Sequence, residues 1–115
     1  MSEASFFNVQ AFQPINGGLG KRLAVSTTTA RALIPGTQAV ASPERLRVLV
    51  TGDNSVSVFI RMGQDDVEAT TDCQEIMSGT QVLLTPPSVA PDAVWIAAIC
   101  ESGTANIQIT AGYGT

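Results

Sequence analysis

Histidine is absent from the chain. Its absence removes the commonest general base, the commonest metal ligand and every Ser-His or Cys-His nucleophile arrangement. Charge is scarce as well: Lys21, Arg22, Arg31, Arg45, Arg47 and Arg61 are scattered singly or in pairs against ten acidic residues, for a net charge of −4. No basic stripe is available to neutralise phosphates, which argues against nucleic acid as a partner. No window approaches the roughly 18 consecutive apolar residues of a membrane span. The opening Met1-Ser2-Glu3-Ala4-Ser5 also lacks the basic and long apolar regions of a secretory signal. The expectation is a protein made and kept in solution, with no membrane partner. Only two cysteines occur, Cys73 and Cys100, and without a secretory signal free buried thiols are favoured over a disulfide.

What the chain does have is core material and punctuation. Its hydrophobic fraction of 44% over 115 residues suffices for one domain that buries roughly two-thirds of its unfolded surface. Ten Gly and six Pro, with abundant Thr, Ser and Val and little Glu, Lys or Leu, favour strands and turns over helices. Candidate strands fall at 22–26, 30–34, 45–51, 56–61, 81–85, 93–100 and 104–110, separated by clusters of Gly, Pro, Asn, Asp or Ser. In the first of the clearest pair, Leu46, Val48 and Val50 share a face, and in the second Val56, Val58 and Ile60 do so, the period of two of half-buried strands. The turn-forming run Gly52-Asp53-Asn54-Ser55 between them predicts a hairpin over 46–61. The continuous apolar run 93–100 predicts a central strand covered on both faces. With Glu101-Ser102-Gly103-Thr104 after it, a second hairpin onto 104–110 is expected. Pro35, Pro43, Pro86, Pro87 and Pro91 stop strands. The fold class expected is all-β: a single antiparallel β-sandwich or jelly-roll-like domain over 21–115, preceded by an extended N-terminal arm over 1–20.

The arm is the anomaly. Pro14, Gly17, Gly18 and Gly20 break every element it could form, yet it carries Phe6, Phe7, Val9, Phe12 and Ile15. An apolar segment with no fold of its own has to be covered, either by its own domain or by a neighbour. These five residues are the candidate protein-interaction site.

No catalytic, cofactor-binding or metal-ligating set emerges from the other motifs. Gly17-Gly18-Leu19-Gly20-Lys21-Arg22 partly matches a phosphate-binding loop, but Ile15 stands at its first Gly and Arg22 at its magnesium-binding Ser or Thr. It reads instead as a Gly-rich hinge. The acidic set Asp65, Asp66, Glu68, Asp72 and Glu75 lacks the ligand spacing and central Gly of a calcium loop, so it reads as a solvated surface. No facing carboxylate pair of the kind glycoside hydrolysis requires is identifiable. Trp95 and Tyr113 could stack on sugars, but Trp95 sits in the most apolar run, where core packing is its expected role.

Several stretches stand in a telling order: Leu46-Arg47-Val48-Leu49-Val50-Thr51-Gly52-Asp53-Asn54, Val58-Phe59-Ile60-Arg61-Met62-Gly63, Ala69-Thr70-Thr71-Asp72 and Ile76-Met77-Ser78-Gly79-Thr80. They are followed by Trp95-Ile96-Ala97-Ala98-Ile99 and then by the run Ser102 to Gly114. This order of features resembles that of small virion structural proteins of tailed bacteriophages. The likeness covers about 70 residues and contains no catalytic motif. It implies a non-enzymatic capsid decoration or cement subunit that binds the major capsid protein or other virion proteins, as a homo-oligomer, in a virion assembled from proteins made in the host bacterial cytoplasm. The alternative is a carbohydrate- or host-surface-binding sandwich module of a phage tail or head fibre, with exposed Thr-rich loops around Thr70 and Thr85. The first 20 residues match no pattern of that family.

Overall fold

The computed structural model describes residues 12–14, 20–37, 45–87 and 94–114, and no α-helix occurs among them. Nine strands follow in chain order: β1 (Gln13–Pro14), β2 (Lys21–Val25), β3 (Ala30–Leu33), β4 (Leu46–Thr51), β5 (Val58–Gly63), β6 (Gln74–Ile76), β7 (Gln81–Leu84), β8 (Trp95–Ile99) and β9 (Ala105–Tyr113). All pairings are antiparallel. One sheet runs β2-β9-β4-β7, with β1 beside β9 on the same edge as β2, and the other runs β3-β8-β5-β6.

These orders have a simple origin. The pairs β2·β9, β3·β8, β4·β7 and β5·β6 nest inside one another, so the chain is one long antiparallel ribbon with its tip between β5 and β6. The ribbon is rolled up so that β9 also meets β4 and β8 also meets β5. This is the eight-stranded jelly roll, with β1 as an addition. The all-β sandwich expected from composition and alternation is therefore the fold, in its jelly-roll form.

Rolling corrects both expected hairpins. β4 and β5 lie in different sheets, as do β8 and β9, so residues 52–57 and 100–104 are corners between sheets. The physical reason is that each of these strands has an apolar face that needs an opposing layer, and consecutive strands supply that layer to each other across the sandwich. The corners are built for the crossing. The Gly103 backbone takes a φ of 71°, open to glycine at little cost, and the Cys100 amide donates to the Ser26 carbonyl at 3.0 Å. Two short strands were not expected from the sequence, β1 and β6, each too brief to show a period.

The core lies between the sheets. Leu46, Val48 and Val50 of β4, Val58 and Ile60 of β5, Ile96 and Ala98 of β8, and Ile107, Ile109 and Ala111 of β9 all point into it, following the two-residue alternation of each strand. β8 is central and covered on both faces, as its sequence demands. Its other face, with Ala97 fully buried, packs under Val67 and Ala69, alongside the half-buried Trp95, Ile99 and Cys73. The covering segment, residues 64–73, is stitched on by hydrogen bonds from Arg31 Nη1 to the Val67 carbonyl (3.1 Å) and from the Ala69 amide to Thr29 Oγ1 (2.9 Å). Trp95 thus packs, but onto this outer cover instead of in the main core. Both cysteines are free thiols.

Candidate functional site

The arm meets the domain at one described place. Gln13 stands opposite Tyr113 and Pro14 opposite Gly112, so the chain is fastened to the edge of β9 before it turns back as β2 along the same edge. Phe12 is half-buried there. Phe6, Phe7, Val9 and Ile15 lie outside the described residues. Gly20, the entry to β2, runs so close to β9 that a Cβ would stand 2.6 Å from the Ile109 carbonyl oxygen and 2.8 Å from Thr110 Oγ1. The glycine that sequence reading assigned to a hinge therefore has a second duty, close backbone approach. Beside this edge, the Arg45 guanidinium lies 5.6 Å from the Tyr113 ring centroid and Arg45 Nε donates to the Gly114 carbonyl at 3.2 Å. These contacts hold the end of β9 against the start of β4.

At the opposite end of the sandwich, Asp53 ties three corners together. Its Oδ1 accepts from the Asn106 amide (2.9 Å), its Oδ2 from the Ser55 amide (3.0 Å), and its own carbonyl from the Gly79 amide (2.7 Å). The amides of Asn106 and then Ser55 hold the Asp53 carboxyl below its ordinary value of 3.8, because hydrogen bonds to the charged form favour it. Next to it is an open depression of about 310 Å³ lined by Arg22, Thr51, Asp53, Asn54, Asn106 and Gln108 among others. Cross-strand register explains the grouping: Arg22 faces Gln108 and Gln108 faces Thr51. Gln81 Nε2 donates to Thr51 Oγ1 at 2.9 Å, extending the polar row to β7.

A second feature was not foreseen from the sequence. Between the sheets, at the side where β6 and β7 form their edges, an open slot of about 580 Å³ is lined by Ile60 and Met62 of β5, Leu84 of β7, and Thr70, Cys73 and Thr85, with Arg61, Asp72 and Gln74 also contributing. It exists because β6 stops opposite Ile60 while β5 runs on to Gly63. In sequence, Leu84 reads as an ordinary strand residue and Met62 as the position just past a strand over 56–61, and only the shortness of the run around Gln74–Ile76 hints that an edge is left unfilled.

No protein-family model and no curated protein matches the chain. Asp65, Asp66, Glu68, Asp72 and Glu75 are all exposed. Among the described residues, no group of three or more carboxylates or thiols stands close enough to hold a metal ion. Among the described residues, Met77 (63% exposed) and Leu83 (49% exposed) are the large apolar side chains most open to solvent. Leu83 lies in β7 itself and Met77 in the connection that leads into it from β6.

Proposed function

We propose that the chain is a non-enzymatic structural virion protein, a capsid decoration or cement subunit that binds the major capsid protein and stabilises a phage head. The observation that carries this reading is the jelly-roll strand order with an apolar leading segment attached to one sheet edge. Jelly rolls serve viral capsid and lectin domains among others, and a fold alone does not assign function. The ordered likeness of residues 46–114 to small phage virion proteins supports the particle reading. An apolar arm on a rigid domain lets many copies each bury a modest area and act together through avidity.

The arm is the contact in this reading. Removing residues 2–11 leaves β1 in place, so the shortened chain is expected to fold and to lose attachment. Quantitative gels of purified particles, with native and shortened chain added back, measure this. A shortened chain that still saturates the particle would sink the proposal.

A second reading, a carbohydrate- or host-surface-binding module, draws on the depression around Arg22, Asp53, Asn54, Asn106 and Gln108. Amide side chains of this kind both donate and accept hydrogen bonds, as neighbouring sugar hydroxyls do. Specific binding on a glycan array, lost in Gln108→Ala, together with a few copies per particle instead of hundreds, would favour this alternative.

A further inference from the structure

We propose that residues 7–11 of one copy dock as an added strand in the slot between the sheets of a second copy. The inference builds on the assembly role proposed above and names the arm's partner. The slot has the form of a missing strand. β6 pairs with β5 only as far as Ile60, so Arg61–Gly63 has β8 on one side and no strand on the other among the described residues. The open side leads to Met62 and Leu84, half-buried apolar residues at the margin of the core. An extended segment laid along this edge gains main-chain hydrogen bonds and drops alternate side chains between the sheets.

The arm supplies a matching pattern. Phe7-Asn8-Val9-Gln10-Ala11 places Phe7, Val9 and Ala11 on one face and Asn8 and Gln10 on the other. Reach decides whose slot is filled. Gln13 is fixed on β9 at one edge of its sheet, and β7, beside the slot, is the opposite edge. Three strand spacings separate them, about 14 Å. Ala11 is two residues from Gln13 and extends at most about 7 Å from it. The whole alternating segment cannot seat in its own slot, so it seats in another copy's. Donor edge and acceptor edge lie on opposite sides of the domain, which makes the contact head-to-tail and generates rings or chains of subunits.

Cys73 lines the slot and provides the test. In the full-length chain carrying Val9→Cys, mild oxidation with copper-phenanthroline is expected to give a ladder of dimers and larger species on a non-reducing gel, abolished by the further change Cys73→Ser. A monomer in which the introduced thiol is bonded to its own Cys73, a ladder that persists without Cys73, or no cross-link at high protein concentration would each overturn the proposal. Sedimentation of the unmodified chain gives a second readout. A mass above the monomer that falls to the monomer in Val9→Asp is expected, and a native chain that stays monomeric at high micromolar concentration would refute it. Attachment of native chain to particles that survives such a refutation would leave the virion role standing with a different arm partner.

Discussion

Replacing Thr37 by Val keeps the side chain's shape and removes one hydroxyl, and the result should be costly. Thr37 is a buried polar residue, 4% exposed. Its Oγ1 donates to the Ile34 carbonyl at 2.8 Å and accepts from the Val94 amide at 3.0 Å. The Ile34 amide also donates to the Val94 carbonyl at 3.0 Å, so the hydroxyl extends the β3·β8 pairing past the end of both strands. In Thr37→Val the Val94 amide and Ile34 carbonyl lose this partner inside the protein. A buried donor or acceptor left unmatched costs about 1–3 kcal/mol, and the added methyl returns about 0.8 kcal/mol. With both groups left unmatched, a net loss centred on about 3 kcal/mol is expected. Thr37→Ser keeps both hydrogen bonds and loses a methyl, about 1 kcal/mol. For a domain of this size, about 1 kcal/mol corresponds to roughly 3–6 °C in Tm, which separates the two variants clearly. Urea unfolding followed by far-ultraviolet circular dichroism and by Trp95 fluorescence gives the midpoints, with the slope m unchanged if the transition stays two-state. Thr37→Val as stable as Thr37→Ser, or more so, would refute the reasoning.

Three further outcomes are expected. Gly20→Ala sets a Cβ against the Ile109 carbonyl oxygen at 2.6 Å, and since backbone yields poorly it should cost about 1–3 kcal/mol, with faster amide exchange along Lys21–Val25. Val67→Ala thins the cover over the outer face of β8, losing about 1–2 kcal/mol and shifting the emission of Trp95, the sole tryptophan, to the red. Unchanged emission would mean that the segment does not cover Trp95 in solution. Because the Asp53 carboxyl is held below 3.8, its stabilising contribution is present in full above that value and lost as pH falls through the lowered folded one. Asp53→Asn should therefore lie below the native chain in urea midpoint at pH 7, and the gap should close under strong acid. A gap that is constant with pH would remove Asp53 as the corner tie.

Alternation made the strands legible, and pairing was not legible in the same way. Leu46, Val48 and Val50, or Ile107 and Ile109, announce which face is buried, because each strand covers one layer of core. Which strand lies beside which depends on contacts between residues far apart in sequence. The run Gly52-Asp53-Asn54-Ser55 illustrates the difficulty. Its residues tolerate the dihedrals of a tight turn, and the same tolerance suits a corner whose Asp53 reaches Asn106 and Gly79. The both-face burial of β8 was readable in its unbroken apolar composition, whereas its cover was not, since Val67 and Ala69 sit in an acidic stretch that reads as solvated. Likewise nothing local to Met62 or Leu84 reveals that the sandwich stays open beside them. That property belongs to the length of β6, three residues set by where the cover segment rejoins the sheet.

The position of β9 has a consequence for how the molecule forms. Among the nine described strands, the last in chain order is the one that stands between β2 and β4 in its sheet, so neither neighbour acquires this inner partner until synthesis has passed Tyr113. Until then β2 lacks its described strand partner and β4 has only β7 beside it, so both present open edges prone to pairing with foreign chains. Closure then joins segments far apart in the sequence, and ordering such long loops is slow, on the order of milliseconds to seconds. A domain with this wiring closes late, all at once.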